Sequence, residues 1–151
     1  MTTAFSLIAI VLLAAGVLTA CDNIESAQVR SDFPEVMLTL QTNIQASGYQ
    51  VSRVQKVDVG MKKAGYAIDE YRVVFFAKPE EVKIILEEYP DFASFLPLSI
   101  TIYKEGDMIR LVGMPFALPK AHESGQALET MIARWEKDTT EIIRQTTETR
   151  E

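Results

Sequence analysis

The stretch LSITIYKEGDMIRLV, residues 98–112, reads as two strands joined by a tight turn. A two-residue turn at Glu105-Gly106 places Lys104 opposite Asp107 and pairs Ile102 with Ile109 and Ile100 with Leu111. Those four apolar side chains then share one face, while Thr101 and Arg110 share the other. Charge, pairing and patterning all specify the same hairpin, so a sheet with one buried face is the starting point.

The elements on either side follow from the same kind of pattern. Tyr71 to Ala77 is β-branched and aromatic and reads as a central strand. Pro79 can open the next helix, because a missing N–H costs nothing in a first turn. That helix is expected to run to about Tyr89 and to bury Val82, Ile85, Leu86 and Tyr89 before Pro90 ends it. Glu80, Glu81, Glu87 and Glu88 fall between those positions and read as a solvated face. Upstream, Phe33, Val36, Met37, Leu40 and Ile44 recur at helical spacing. Asp32 and Glu35 resemble a capping box, and Gly48 is placed to stop the helix. Tyr49 to Val59 reads as a strand, Gly60 to Gly65 as a short helical turn or loop, and Ala27 to Arg30 as a short strand. After Pro115 and Pro119 comes a long helix from about Ser124. Leu128, Met131, Ile132, Trp135, Thr139, Ile142 and Ile143 form its stripe, and Thr146 to Glu151 is expected to fray. The order predicts an α+β domain: a largely antiparallel sheet covered by helices on one face.

The amino-terminal segment is of another kind. No Lys, Arg, Asp or Glu precedes Asp22, and Ala4 to Ala20 is almost wholly apolar. Such a run followed by small residues fits a secretory signal. Leu18-Thr19-Ala20-Cys21 resembles the lipobox of bacterial lipoproteins. The resemblance implies a diacylglycerol on the Cys21 thiol, cleavage just before it, and acylation of the new amino terminus by a palmitate-type chain. No Lys or Arg stands ahead of the apolar run, which departs from that pattern. An uncleaved helix of about 20 apolar residues could instead span a bilayer. Asp22 resembles the inner-membrane retention signal of enteric lipoproteins. The expected organisation is a signal peptide at 1–20, a lipidated tether at 21–31 and a single domain at 32–151. The expected location is the cell envelope, periplasm-facing, on the inner membrane.

The chain has 151 residues and a net charge of −6, with one Cys and one His. The acidic balance argues against nucleic acid, which needs a basic patch, and against a face lying on anionic lipid. With Cys21 assigned to lipid, no internal disulfide remains. His122 is alone, so a metal cluster or a nucleophile–base pair built on His lacks its parts. No GxSxG or GxGxxG run occurs. The reading therefore assigns no catalytic residue, no metal and no cofactor. Pockets are aromatic-lined with a few polar groups. On that ground tyrosines are candidates for a ligand site, and Asp58, Tyr71, Lys78 and Tyr103 are the residues around which a carboxylate or tyrosine ligand-binding site would form.

Several short motifs together resemble the domain of unknown function 302 family. They are Arg72-Val73-Val74-Phe75-Phe76, then Phe76-Ala77-Lys78-Pro79 in place of the family's Phe-Gly-Asn-Pro, and Leu96-Pro97-Leu98 leading into the hairpin. The helix ending at Gly48 and the turn Lys62-Lys63-Ala64-Gly65 also fit, so the resemblance spans about Val29 to Met114. It implies a small α+β fold, a homodimer, and no established activity. Many members carry a His near Val57-Asp58-Val59, where this chain has Asp58 as its polar residue. Three functions stay open: a lipid-anchored binding or accessory domain serving a ligand or an envelope protein partner, a structural homo-oligomer, and an enzyme with a Tyr/carboxylate site.

Overall fold

A computed structural model of the protein describes residues 25–115 and 125–148. Cys21, Asp22 and His122 lie outside the described residues, as does the apolar segment before them. In chain order the elements are β1 (Ser26–Val29), α1 (Phe33–Ala46), β2 (Gln50–Lys56), α2 (Val57–Lys63), β3 (Tyr71–Ala77) and α3 (Pro79–Glu88). A 3-10 segment, Pro90–Phe95, follows, then β4 (Leu98–Glu105), β5 (Met108–Gly113) and α4 (Gln126–Glu148). The five strands form one sheet in the order β1-β5-β4-β3-β2, every pairing antiparallel. The α+β expectation holds, with β3 inside the sheet. β1 falls within the stretch read as a tether, so the ordered sheet reaches back to Ser26.

Strand alternation sends two sets of side chains to opposite sides. Val74, Phe76, Leu98, Ile100, Ile102, Ile109 and Leu111 face the helices and are all at most 1% exposed. Against them lie Val36, Leu40 and Ile44 of α1 and Leu128, Ile132, Trp135, Ile142 and Ile143 of α4. The other sheet face carries Tyr71, Val73, Phe75, Thr101, Tyr103 and Val112, all half-buried.

The hairpin forms with a register two residues away from the expected one. Ile102 pairs with Leu111 and Ile100 with Gly113, so the turn is Gly106-Asp107 rather than Glu105-Gly106. Lys104 stands opposite Ile109, not Asp107. Gly106 has φ of +60°, the sign that a two-residue hairpin turn demands at its first position. A shift of two preserves the faces, so the buried set is the one expected.

Other boundaries moved for identifiable reasons. β2 stops at Lys56, and Val57-Asp58-Val59 begins α2 instead of ending the strand. Asp58 in the first turn and Lys62 and Lys63 in the last complement the helix dipole. Asp32 caps α1 without a side-chain hydrogen bond; the Ser31 hydroxyl donates to Glu35 instead, at 3.3 Å. On α3, Ile85 is buried as expected, yet Leu86 is 58% exposed and Glu81 only 7%. The far end of α4 does not fray at Thr146. Thr146 is buried, and Asn43 of α1 donates its amide N–H to the Thr146 hydroxyl at 3.1 Å.

β5 ends beneath α4 at Gly113. A Cβ there would stand 3.0 Å from Thr139 Cγ2 and 3.3 Å from Ile143 Cδ1. Thr139 Oγ1 is itself buried with no hydrogen-bond partner among the described residues. Gly113→Ala is expected to cost about 1–3 kcal/mol through overpacking, read as a lower urea midpoint. Thr139→Val, which removes an unpaired buried hydroxyl, is expected to raise stability by about 1 kcal/mol in the same assay.

Candidate functional site

β3 carries or adjoins all four candidate residues. Tyr71, its first residue, pairs with Tyr103 of β4, and their rings lie 5.8 Å apart on the open face. Arg72 alternates to the helix side, where its guanidinium meets the Asp58 carboxylate of α2. Asp58 is 4% exposed, and Lys62 approaches its other oxygen at 3.6 Å. Arg72 also donates to the Tyr71 carbonyl at 3.1 Å and lies 5.7 Å from the centre of the Phe33 ring. Asp58 is thus held by two cations and fastens α2 to the start of β3. Lys78 follows the opposite end of β3, about 20 Å away along the strand. Its ammonium stands 4.5 Å from the centre of the Tyr49 ring. Asp58, Tyr71 and Tyr103 therefore share one end of the sheet but lie on different faces, and Lys78 is apart from them.

A second polar cluster surrounds Tyr49 and was not read from the sequence. The Trp135 indole donates to Glu81 Oε2 at 2.6 Å, and Arg134 Nη2 donates to Glu81 Oε1 at 2.7 Å. Arg134 Nη1 lies 3.9 Å from Asp138 Oδ2, which accepts from the Tyr49 hydroxyl at 2.6 Å. Glu81 sits in the first turn of α3, where the helix dipole favours a carboxylate. The chain of contacts ties α3 and the start of β2 to α4. A signal for it existed: a buried indole N–H needs an acceptor, and Glu81 lies just inside a Pro-started helix.

The electrostatics suit a structural clamp. Burial, then the hydrogen bond to Asp138, raises the Tyr49 pKa well above the ordinary 10.0. That phenol stays protonated near neutral pH and cannot serve as a base there. Burial works to lower Arg134, but the hydrogen bond and charge of Glu81 outweigh it and raise its pKa. Both Glu81 oxygens are engaged, so neither is a free proton acceptor. Among the described residues no group of His, Cys, Asp or Glu could hold a metal ion.

Two clefts accompany these clusters. One of about 460 Å³ lies at the start of α1, between Asp32 and Glu35 on one side and Glu70 and Lys104 on the other. The second, of about 280 Å³, is largely apolar and lies between α3, the 3-10 segment and the bulge at Ser52 of β2.

Glu81→Ala would leave the Trp135 N–H and Arg134 without their acceptor. The expected loss is about 2–4 kcal/mol, measured by chemical unfolding. Tyr49 gives a pH signature. Its folded pKa lies above its unfolded value, so its contribution is complete below about pH 10 and declines as pH rises beyond it. Tyr49→Phe is expected to show a shallower alkaline loss of stability than the parent when urea midpoints are compared on either side of that pH.

The family model described as "Domain of unknown function DUF302" matches residues 25–145. A crystal structure of an uncharacterized conserved DUF302 protein from Bacillus stearothermophilus superposes with a TM-score of 0.69. That match is 20% identical and covers 80% of this chain and 95% of the other, so it speaks to the fold. No curated protein matches the chain. The span takes in all five strands, α1 and α4 up to residue 145, and the chain belongs to the DUF302 family.

Proposed function

We propose that the chain is a lipid-anchored envelope protein whose domain is a non-catalytic binding or accessory module. The observation that carries the non-catalytic part is the state of the buried carboxylates. Asp58 is committed to Arg72 and Lys62, and Glu81 to Arg134 and Trp135. A general acid or base needs a group free to exchange its proton with substrate. The anchoring part rests on Leu18-Thr19-Ala20-Cys21 and the apolar run before it. No helix of the described residues is long and apolar enough to cross a membrane.

The anchor would act through a very short leash. The Gly113 N–H donates to the Glu25 carbonyl at 2.8 Å, so the chain is already fixed to the sheet at Glu25. Four residues of extended chain reach about 14 Å from Cys21. The β1 edge would therefore ride close to the bilayer, with the domain held inner-membrane side if Asp22 acts as a retention signal. A homo-oligomer is the second reading, favoured by the half-buried Val73, Phe75 and Val112 on the open sheet face.

Expression in a bacterium that processes lipoproteins tests the anchor. The mature product is expected to lack residues 1–20 and to carry added acyl mass. Cys21→Ser is expected to abolish that mass and to change the membrane fractionation. An intact mass that retains Met1 with an unmodified Cys21 would sink the reading.

A further inference from the structure

β2 is an edge strand and lies four strands from β1, about 19 Å across the sheet. Among the described residues its outer side has no strand partner, which leaves a row of backbone N–H and C=O groups for another chain. Three features single it out. The apolar cleft of about 280 Å³ abuts this edge, lined by Ser52 of the strand with Ala77, Val82, Leu86, Leu96 and Pro97. Leu86 on its rim is 58% exposed, so the apolar lining of the cleft reaches the surface. Arg53, Lys56 and Lys63 are exposed on or just beyond the strand, and none forms an ion pair among the described residues. In a chain of net charge −6 this is a local basic border.

We infer that the β2 edge and its cleft form a docking site for an extended, acidic segment of a partner protein. The segment adds as a sixth strand beside β2. Its backbone supplies the affinity, one apolar side chain enters the cleft beside Leu86, and its carboxylates, pointing to the open face, meet Arg53. This is strand addition, in which alternate side chains give the specificity. A second copy of this chain fits less well, because pairing β2 with β2 would bring the two basic borders together. The same cations thus reject self-association and select an acidic partner. The inference names the partner class for the binding module proposed above, and it does not depend on the lipid.

The test uses the full chain in detergent and a capped seven-residue peptide alternating glutamate with valine. A matched peptide alternating lysine with valine is the control. Fluorescence anisotropy reads binding, and amide hydrogen exchange reads its place. The acidic peptide is expected to bind, to slow exchange at β2 and not β1, and to weaken as salt rises. Arg53→Glu and Leu86→Asp, both at exposed positions, are each expected to weaken it about tenfold. No binding of the acidic peptide up to millimolar concentration overturns the inference. So does equal binding of the lysine peptide, indifference to both substitutions, or protection confined to β1. Failure of the anchoring reading would appear in the intact mass of the native product and would leave these results unchanged.

Discussion

One constraint organises the domain: a sheet of five strands hides only one of its faces. Seven side chains from β3, β4 and β5 point toward α1 and α4 and lose almost all contact with water. Each contributes about 1.5–3 kcal/mol by burial, so these strands are committed to their faces. α1 and α4 lie against each other as well as against the sheet. The other elements answer to this core. α2 is fastened by Asp58 and Arg72, α3 by Glu81 and Trp135, and the end of α4 by Thr146 and Asn43.

Much of this was legible in the residues because apolar spacing states its own period. The helices at Phe33 and Leu128, the strand at Tyr71 and the hairpin faces were all readable in that way. The rest needed information that spacing does not contain. Val57 and Val59 continue the alternation of β2, but Asp58 between them is drawn to Arg72, and the chain turns into a helix there. On α3 the periodicity of Val82, Ile85 and Leu86 marked the right side of the helix only in part. A carboxylate took a buried position because an indole and a guanidinium from α4 were waiting for it.

The candidate site was harder to read than the fold. Asp58, Tyr71, Lys78 and Tyr103 were chosen for chemistry, and chemistry alone does not say which face of a strand a side chain joins. β3 divides them: Tyr71 joins Tyr103 on the open face, Arg72 takes Asp58 on the helix side, and Lys78 belongs with Tyr49. The Tyr49–Asp138–Arg134–Glu81–Trp135 cluster spans positions 49 to 138, and no local pattern links residues so far apart in sequence.

Alternation fixes which side each hairpin residue faces, but it cannot distinguish two alignments that differ by an even number of positions. Gly113 makes that choice. It sits opposite Ile100, under Thr139 and Ile143, where even a Cβ would stand 3.0 Å from Thr139 Cγ2. Sliding β5 into the alternative alignment would put Leu111 in that place. The missing side chain therefore acts as a gauge, admitting one alignment of the hairpin and excluding its near-twin.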